Sequence, residues 1–131
     1  MPRFMLDTDT VSYALRGEGN VAARLLAHRP SEICISSVTL AELRYGADAR
    51  GSRKLHGLID AFVRDVEVEP LGAEAADLFG KVAATLARRG QPIGPFDTLI
   101  AAHALSLGLT LITRNQRHFS RVSGLRTESW Y

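Results

Sequence analysis

Two carboxylates stand where a short apolar run ends near the start of the chain. In the stretch FMLDTDTVS, residues 4–12, Asp7 follows the run directly and Asp9 comes two positions later, with threonines interleaved. A carboxylate at such a place could attack phosphorus as a nucleophile, hold a metal cation, or cap the start of a helix. The remaining polar residues near the same strand ends must distinguish these three chemistries.

Three more polar residues occupy comparable positions. Glu42 follows the second apolar run in ISSVTLAEL, Asp97 opens a predicted helix in GPFDTLIAAHAL, and Asn115 follows the last run in LITRNQ. Two like charges 4 Å apart cost about 4 kcal/mol at an effective dielectric near 20, so converging carboxylates would need a proton or a cation. An all-oxygen donor set favours Mg²⁺ or Mn²⁺. The sequence therefore predicts an acidic metal site.

Ordinary structural roles compete with that interpretation at each position. Thr39 and Glu42 form the T-x-x-E pattern of a capping box, and Asp97 in a first helical turn favours the helix dipole. Asp7 and Asp9 could be caps or turn residues. Because a single metal site would account for all of these positions together, we favour it over several separate roles.

The elements that must position these residues are indicated by hydrophobic periodicity. Short runs with β-branched residues predict buried strands, and longer stretches with helical spacing predict helices between them. Strands alternating with helices predict a parallel sheet covered on both faces, with ligands beyond the carboxyl ends of the strands. The predicted strands are residues 3–6, 33–36, 66–68 and 109–113, and the predicted helices are 20–28 capped by Asn20, 55–63, 78–86 stopped near Gly90, and 96–107 between Pro95 and Gly108.

Length and composition limit the class of protein. A chain of 131 residues predicts one domain, 1–131, and 46% apolar with 23% charged residues is typical of soluble globular proteins. No apolar stretch approaches the roughly 20 residues of a membrane span, and MPRFMLD has no signal region. Cys34 is the only cysteine, which excludes an internal disulfide and CxxC-type zinc sites. We therefore expect a cytoplasmic protein without a membrane partner.

The basic residues are almost all arginine. Only Lys54 and Lys81 are lysines among 16 basic residues, and the net charge is +2. The planar guanidinium fork suits phosphate, so the arginine-rich stretch after the last apolar run could face an anion, or it could be ordinary solvated surface. That stretch contains Arg114, Arg117, Arg121 and Arg126 against Glu128.

Five motifs together resemble the PIN-domain ribonucleases of the VapC toxin type. They are FMLDTDTVSY, ISSVTLAELRYGA, RRGQPIGPFDTLIAAHAL, LITRNQRHF and LRTESW, in family order over essentially the whole chain. The resemblance implies a Rossmann-like three-layer α/β fold with a central parallel sheet of four or five strands. It matches Asp7, Glu42 and Asp97 with the three acidic site residues. Asn115 falls at a fourth position that is aspartate in many relatives, and Asp9 falls where many have asparagine.

The same resemblance implies a metal-dependent endoribonuclease that hydrolyses phosphodiester bonds of a structured RNA, with a tRNA anticodon stem-loop as a leading candidate. Asp7, Glu42, Asp97 and Asn115 would form the catalytic site, and Mg²⁺ or Mn²⁺ would be held by the three acids, with Asp9 as an additional candidate ligand, directly or through water. Such a cation lowers the pKa of a water molecule and polarises the scissile phosphate.

The supporting residues are proposed from their places in the sequence near these acids, and the partners are implied by the resemblance. Thr8 and Thr113 would orient the carboxylates, and Arg114 and Arg117 would contact RNA phosphates. The family further implies a cognate VapB-type antitoxin that neutralises the toxin, and a homodimer.

Other functions remain open at this stage. The stretch D-x-D-x-T also fits haloacid-dehalogenase-type phosphatases with Asp7 as nucleophile, but the only lysines lie in predicted helices, away from the strand ends. A phospho-receiver domain would want a lysine where Arg114 stands. His103, within an apolar helix, is more simply a packed histidine than a base. A non-catalytic PIN-like module that binds RNA or protein is the main alternative.

Overall fold

A five-stranded parallel sheet forms the centre of the molecule in the computed structural model, which describes residues 2–131. The strand order is β3-β2-β1-β4-β5, and every neighbouring pair is parallel. The strands are β1 (Phe4–Leu6), β2 (Ile33–Ser36), β3 (Glu67–Glu69), β4 (Thr110–Ile112) and β5 (Thr127–Glu128). The helices are α1 (Thr8–Arg16), α2 (Val21–Leu26), α3 (Ser37–Arg50), α4 (Arg53–Asp65), α5 (Ala73–Arg88), α6 (Pro95–Leu107) and α7 (Gln116–Phe119), with a 3₁₀ turn at Pro30–Glu32.

Helices cover both faces of this sheet. Alternate residues of a strand point to opposite faces, so the same strand contributes to a core on each side. Phe4 and Leu6 of β1 join a core cluster that includes Val11 of α1 and Ile59 of α4. Met5 joins a second cluster with side chains of α5, α6 and α7. Burying the central strand on both sides explains why it reads as a continuous apolar run. The predicted three-layer α/β class is confirmed.

The chain reverses direction across the sheet next to β1. It runs outward from β1 to β2 and β3, then returns to the other side of β1 to form β4 and β5. The backbone N–H of Asp7 donates to the carbonyl of Ile112 at 3.1 Å, which ties the ends of β1 and β4 together. Ligands of open parallel sheets bind at such a switch point, beyond the carboxyl ends of the strands.

The strand predictions are confirmed in order for β1 to β4. The strands β1, β3 and β4 each begin one residue later than predicted, and β4 ends one residue earlier. Val66, predicted to begin β3, ends α4 instead, since its N–H donates to the carbonyl of Phe62 at 3.1 Å. The short edge strand β5 was not predicted, because Thr127 and Glu128 are only partly buried and form no apolar run.

Two capping predictions are wrong. Ser36, not Thr39, is the N-cap of α3, and its Oγ accepts the backbone N–H of Val38 at 3.1 Å. The pair Thr39 and Glu42 therefore forms no capping box. Asn20 precedes α2 but makes no side-chain capping hydrogen bond, and that helix ends at Leu26 rather than near residue 28.

Helix α6 matches its prediction, beginning at Pro95 and ending at Leu107 before Gly108. Within residues 2–131, no helix is long and apolar enough to cross a membrane.

Candidate functional site

Asp7 lies at the carboxyl end of β1 and is almost completely buried, with 5% of its surface exposed. It is also the N-cap of α1, because its Oδ1 accepts the backbone N–H of Thr10 at 2.9 Å. Burial raises the pKa of Asp7 above its usual value, while hydrogen bonds involving Thr10 and Thr113 oppose that rise. The capping role considered from sequence is therefore real, and it fixes this carboxylate at the switch point.

Asp97 is presented to the same edge by the start of α6. The turn before the helix needs glycine, because Gly94 adopts a φ of 95°, and Pro95 then begins the helix. Burial and the negative charges of Asp7, Glu42 and Asp9, in that order, raise the pKa of Asp97 to about 6. The structure thus brings four carboxyl groups from three parts of the chain close enough to repel one another.

Glu42 is held by a threonine from a different helix. The hydroxyl of Thr8, at the start of α1, donates to Oε1 of Glu42 in α3 at 2.6 Å. The same hydroxyl lies 3.3 Å from Oγ1 of Thr39. Because Glu42 has this partner, its carboxylate orientation depends on the packing of α1 against α3, and not on a helix cap.

Residues after β4 complete this edge. Thr113 is fully buried, and its Oγ1 accepts the backbone N–H of Asn115 at 3.0 Å. Asn115 precedes α7, but its side chain makes no capping hydrogen bond there. Thr113 therefore contributes both to the pKa of Asp7 and to the turn that carries Asn115.

The carboxylate cluster, Asp7, Asp9, Glu42 and Asp97, contains donors suited to a hydrated divalent cation. None of the salt bridges found in residues 2–131 involves these four groups. As positioned, however, no three histidine, cysteine, aspartate or glutamate side chains in this part of the chain form a group that could hold a metal ion. Mg²⁺ commonly uses one or two carboxylates and keeps several waters. The donor set fits that open coordination and does not form a closed cage.

Arg114 and Arg117, both predicted to contact RNA, lie at this end of the sheet and are exposed. Arg114 contacts two tyrosines that sequence reasoning missed, Tyr13 and Tyr131. Tyr13 closes the motif FMLDTDTVSY and Tyr131 directly follows LRTESW, but the two residues are far apart in the sequence, so nothing in it indicated that their rings meet.

His103 is a packed histidine, as expected. It is 1% exposed, and its Nδ1 lies 2.8 Å from Oγ of Ser36, the residue that caps α3. Burial lowers the pKa of His103, which favours the neutral ring. Lys54 and Lys81 lie within α4 and α5, so neither follows a strand as the phosphatase and receiver alternatives require.

Comparison with known proteins identifies the family of this chain. The PIN domain model matches residues 4–125. Over 131 residues the chain is 42% identical to the tRNA(fMet)-specific endonuclease VapC of Shigella flexneri, with 99% of each chain covered. The chain belongs to the VapC family of PIN-domain proteins.

Solved structures of VapC-family complexes share the whole fold. DNA-bound VapBC from Salmonella typhimurium covers 100% of both chains with a TM-score of 0.93 at 38% identity. VapBC2 from Rickettsia felis, bound to a promoter DNA fragment, covers 98% of both chains with a TM-score of 0.90 at 30% identity. The family expected from the motifs is therefore confirmed, as is its sheet architecture.

Proposed function

We propose that this VapC-family protein is an endoribonuclease toxin that hydrolyses RNA phosphodiester bonds with the help of Mg²⁺ or Mn²⁺. The observation that carries the proposal is the group of carboxyl groups at the sheet switch point, where burial first, and then the neighbouring negative charges, raise the pKa of Asp97 to about 6 without a compensating basic partner. A divalent cation relieves such repulsion, and oxygen donors are its preferred ligands.

Each residue of the cluster then has a distinct task. Asp7 is a rigid donor, since it is buried and fixed by its cap to Thr10. Glu42 is aimed by the Thr8 hydroxyl, and Asp97 adds a carboxylate whose unfavourable charge a bound cation would offset. Asp9 is exposed and suits a contact through water. When bound, the cation supplies a more acidic water and neutralises charge on the phosphate.

A tRNA is the first substrate to test. The relatives from Shigella flexneri and Salmonella typhimurium, at 42% and 38% identity over almost their whole length, are named tRNA(fMet)-specific endonucleases. The exposed arginines at the same edge, Arg114 and Arg117, offer contacts to the RNA backbone. More specifically, we propose that the protein cleaves within a structured region such as an anticodon stem-loop.

The partner we propose is a VapB-type antitoxin, because the solved relatives are VapBC complexes over the full length of this chain. Neutralisation would follow if the antitoxin covers the carboxylate cluster. The homodimer predicted from the family is a further proposal, and so is a cytoplasmic location.

The decisive experiment compares two substitutions of one acid. Asn caps helices as well as Asp does, so Asp7→Asn removes the charge and keeps the cap, whereas Asp7→Ala removes both. We expect both variants to lose at least about 100-fold in the rate of Mg²⁺-dependent tRNA cleavage, and only Asp7→Ala to lose stability as well, by about 1 kcal/mol. Cleavage is followed on gels with end-labelled RNA, and stability by urea unfolding.

Asp65→Asn is the matched control for this test. Asp65 is an exposed acid at the end of α4, where the chain enters the opposite edge of the sheet, so its loss should leave cleavage unchanged. Cleavage that persists in Asp7→Asn, or that continues in excess chelator, would instead favour the non-catalytic binding module.

A further inference from the structure

An exposed arginine beside the carboxylate cluster is held in place by two aromatic rings. Nη1 of Arg114 donates to the hydroxyl of Tyr13 at 2.5 Å. Its guanidinium carbon lies 4.9 Å from the centroid of the Tyr13 ring and 5.4 Å from that of Tyr131. A guanidinium within about 6 Å of an aromatic face is attracted by the ring quadrupole. Three contacts therefore restrict a side chain that would otherwise sample many rotamers.

The two rings are themselves fixed to the turn that carries the first aspartate. Tyr13 and Tyr131 pack edge to face with centroids 4.9 Å apart. The hydroxyl of Tyr131 donates to Oγ1 of Thr10 at 3.2 Å, and the backbone N–H of Thr10 donates to Asp7. Burial raises the pKa of Tyr131, and the nearby charge of Asp7 adds to that effect. The aromatic pair therefore lies next to the carboxylate cluster.

Arg114 differs from the other arginines near this edge. Arg16 also lies over Tyr13, at 4.8 Å, but its Nε donates to Glu18 at 2.9 Å, so its charge is partly neutralised. Arg117 is exposed on α7, and the described chain shows no ion pair or aromatic contact for it. Arg114 combines a fixed position with a charge that no acid in residues 2–131 pairs with.

We propose that Tyr13 and Tyr131 hold Arg114 as a preorganised phosphate-binding side chain, which grips the RNA backbone next to the carboxylate cluster. The inference rests on the proposed nuclease function and deepens it, since it assigns two tyrosines as positioning residues. A guanidinium that is already ordered loses less rotamer freedom when it meets a phosphate. Arg114 therefore contributes more to RNA affinity than the unrestrained Arg117.

The test is a double-substitution cycle on RNA binding. Affinity for an in vitro transcribed tRNA is measured by fluorescence anisotropy in chelator, which prevents cleavage, at several salt concentrations. Arg114→Ala should weaken binding about ten-fold and reduce the slope of log affinity against log salt by about 0.7 to 0.9, the value of one lost phosphate contact. Tyr13→Leu or Tyr131→Leu should weaken it about five-fold while leaving the slope unchanged.

Making the tyrosine substitutions with and without Arg114 separates a positioning role from a general structural effect. In an Arg114→Ala protein, Tyr13→Leu and Tyr131→Leu should weaken binding no further, because the side chain they position is already gone. Arg114→Lys should show the salt slope of the wild type but bind RNA more weakly than the wild type, since an ammonium lacks the planar face that stacks on the rings. Circular dichroism and urea midpoints report whether each variant is folded.

Arg126→Ala is the matched control. It removes the same charge at the opposite edge of the sheet, where Arg126 donates to the carbonyl of Gly108 at 2.6 Å. The inference is overturned if Arg114→Ala has no larger effect than Arg126→Ala, or if the tyrosine substitutions weaken binding equally with and without Arg114. It is also overturned if Arg114→Ala weakens binding to the antitoxin but not to RNA.

Failure of the proposed function looks different. If the wild-type protein neither binds nor cleaves the tRNA, both proposals fall together. If the wild-type protein cleaves the tRNA with Mg²⁺ and the cycle is additive, only the role of the two tyrosines is disproved.

Discussion

Two acidic residues at opposite edges of the sheet, Glu32 and Asp97, have opposite electrostatic environments. At the amino edge, just before β2, Glu32 accepts the backbone N–H of Arg29 at 3.0 Å and pairs with Arg3 at 3.1 Å, and these contacts lower its pKa. At the carboxyl edge, burial and like charges raise the pKa of Asp97 to about 6. Glu32 is thus paired with a basic side chain, whereas no salt bridge in residues 2–131 involves the acids of the carboxylate cluster. Acids without a basic partner remain available to a cation from outside.

The unpaired acids at the carboxyl edge lower the stability of the folded chain, and a functional role of the cluster accounts for this cost. A cluster of like charges destabilises the folded chain, whereas a paired surface acid is close to neutral. Strained electrostatics of this kind concentrates at functional sites. Substitutions and changes of pH or metal should remove this contrast between the two edges or make it larger.

The largest effect is expected from the hydroxyl that aims Glu42. Thr8→Val keeps the shape of the side chain and removes the donor to Oε1, so the carboxylate loses its orientation. We expect the rate of Mg²⁺-dependent cleavage to fall about 10- to 100-fold, the usual range for residues that support metal ligands. Thr8→Ser retains the hydroxyl and should keep most of the activity. Equal losses in both variants would mean that packing, and not the hydrogen bond, matters.

Acid should weaken cleavage at limiting metal. Because the pKa of Asp97 is raised to about 6, a proton competes with the cation below that pH. At a Mg²⁺ concentration below saturation, the rate should fall about ten-fold per pH unit below 6, if one proton must leave before the cation binds. Ten-fold more Mg²⁺ should restore the rate at pH 5. A loss that extra Mg²⁺ fails to restore would point to acid unfolding or to another titrating group.

Removing the charge of Asp97 should stabilise the metal-free protein. The pKa of Asp97 in the folded state, about 6, is higher than the 3.8 of an exposed aspartate, so this acid contributes stability below pH 3.8 that is lost as the pH rises through about 6. At pH 7.5 in chelator, Asp97→Asn should therefore unfold at higher urea, by about 1 kcal/mol, because Asp97 is only half-buried and solvent screens much of the charge interaction. Mg²⁺ should stabilise the wild type and have little effect on the variant. A destabilised variant would contradict the repulsion.

The smallest effect is expected at the amino edge. Glu32→Gln removes the ion pair with Arg3, but Arg3 is mostly exposed and Glu32 is partly exposed, so solvent weakens the pair. Cleavage should equal that of the wild type, and the urea midpoint should shift only slightly. A large loss of cleavage in Glu32→Gln would remove the distinction between the two edges.

The central elements were predictable because their residues are buried on both sides. Met5 and Leu6 are fully buried, so β1 reads as an uninterrupted apolar run, and the position of Asp7 directly after it follows from the sequence. The helix after Gly94 was equally clear, since Pro95 and Gly108 mark its limits. Together these elements predicted that acids from distant segments would share one edge.

What sequence could not supply were contacts between distant side chains. Tyr131 meets Thr10 across 121 positions, and no periodicity encodes such a pair. The capping box at Thr39 and Glu42 was a local pattern overridden by Ser36, a better-placed cap three residues earlier. Strand β5 escaped prediction because an edge strand of two half-buried residues carries almost no hydrophobic signal.

Binding of Mn²⁺ at pH 7.5, followed by electron paramagnetic resonance, tests the central claim most directly. We expect saturable Mn²⁺ binding to the wild type and to Asp65→Asn, and loss of that binding in Asp7→Asn and Asp97→Asn while both variants remain folded. Equal Mn²⁺ binding by all four proteins, or no saturable binding by any of them, would contradict a cation site built from these carboxylates.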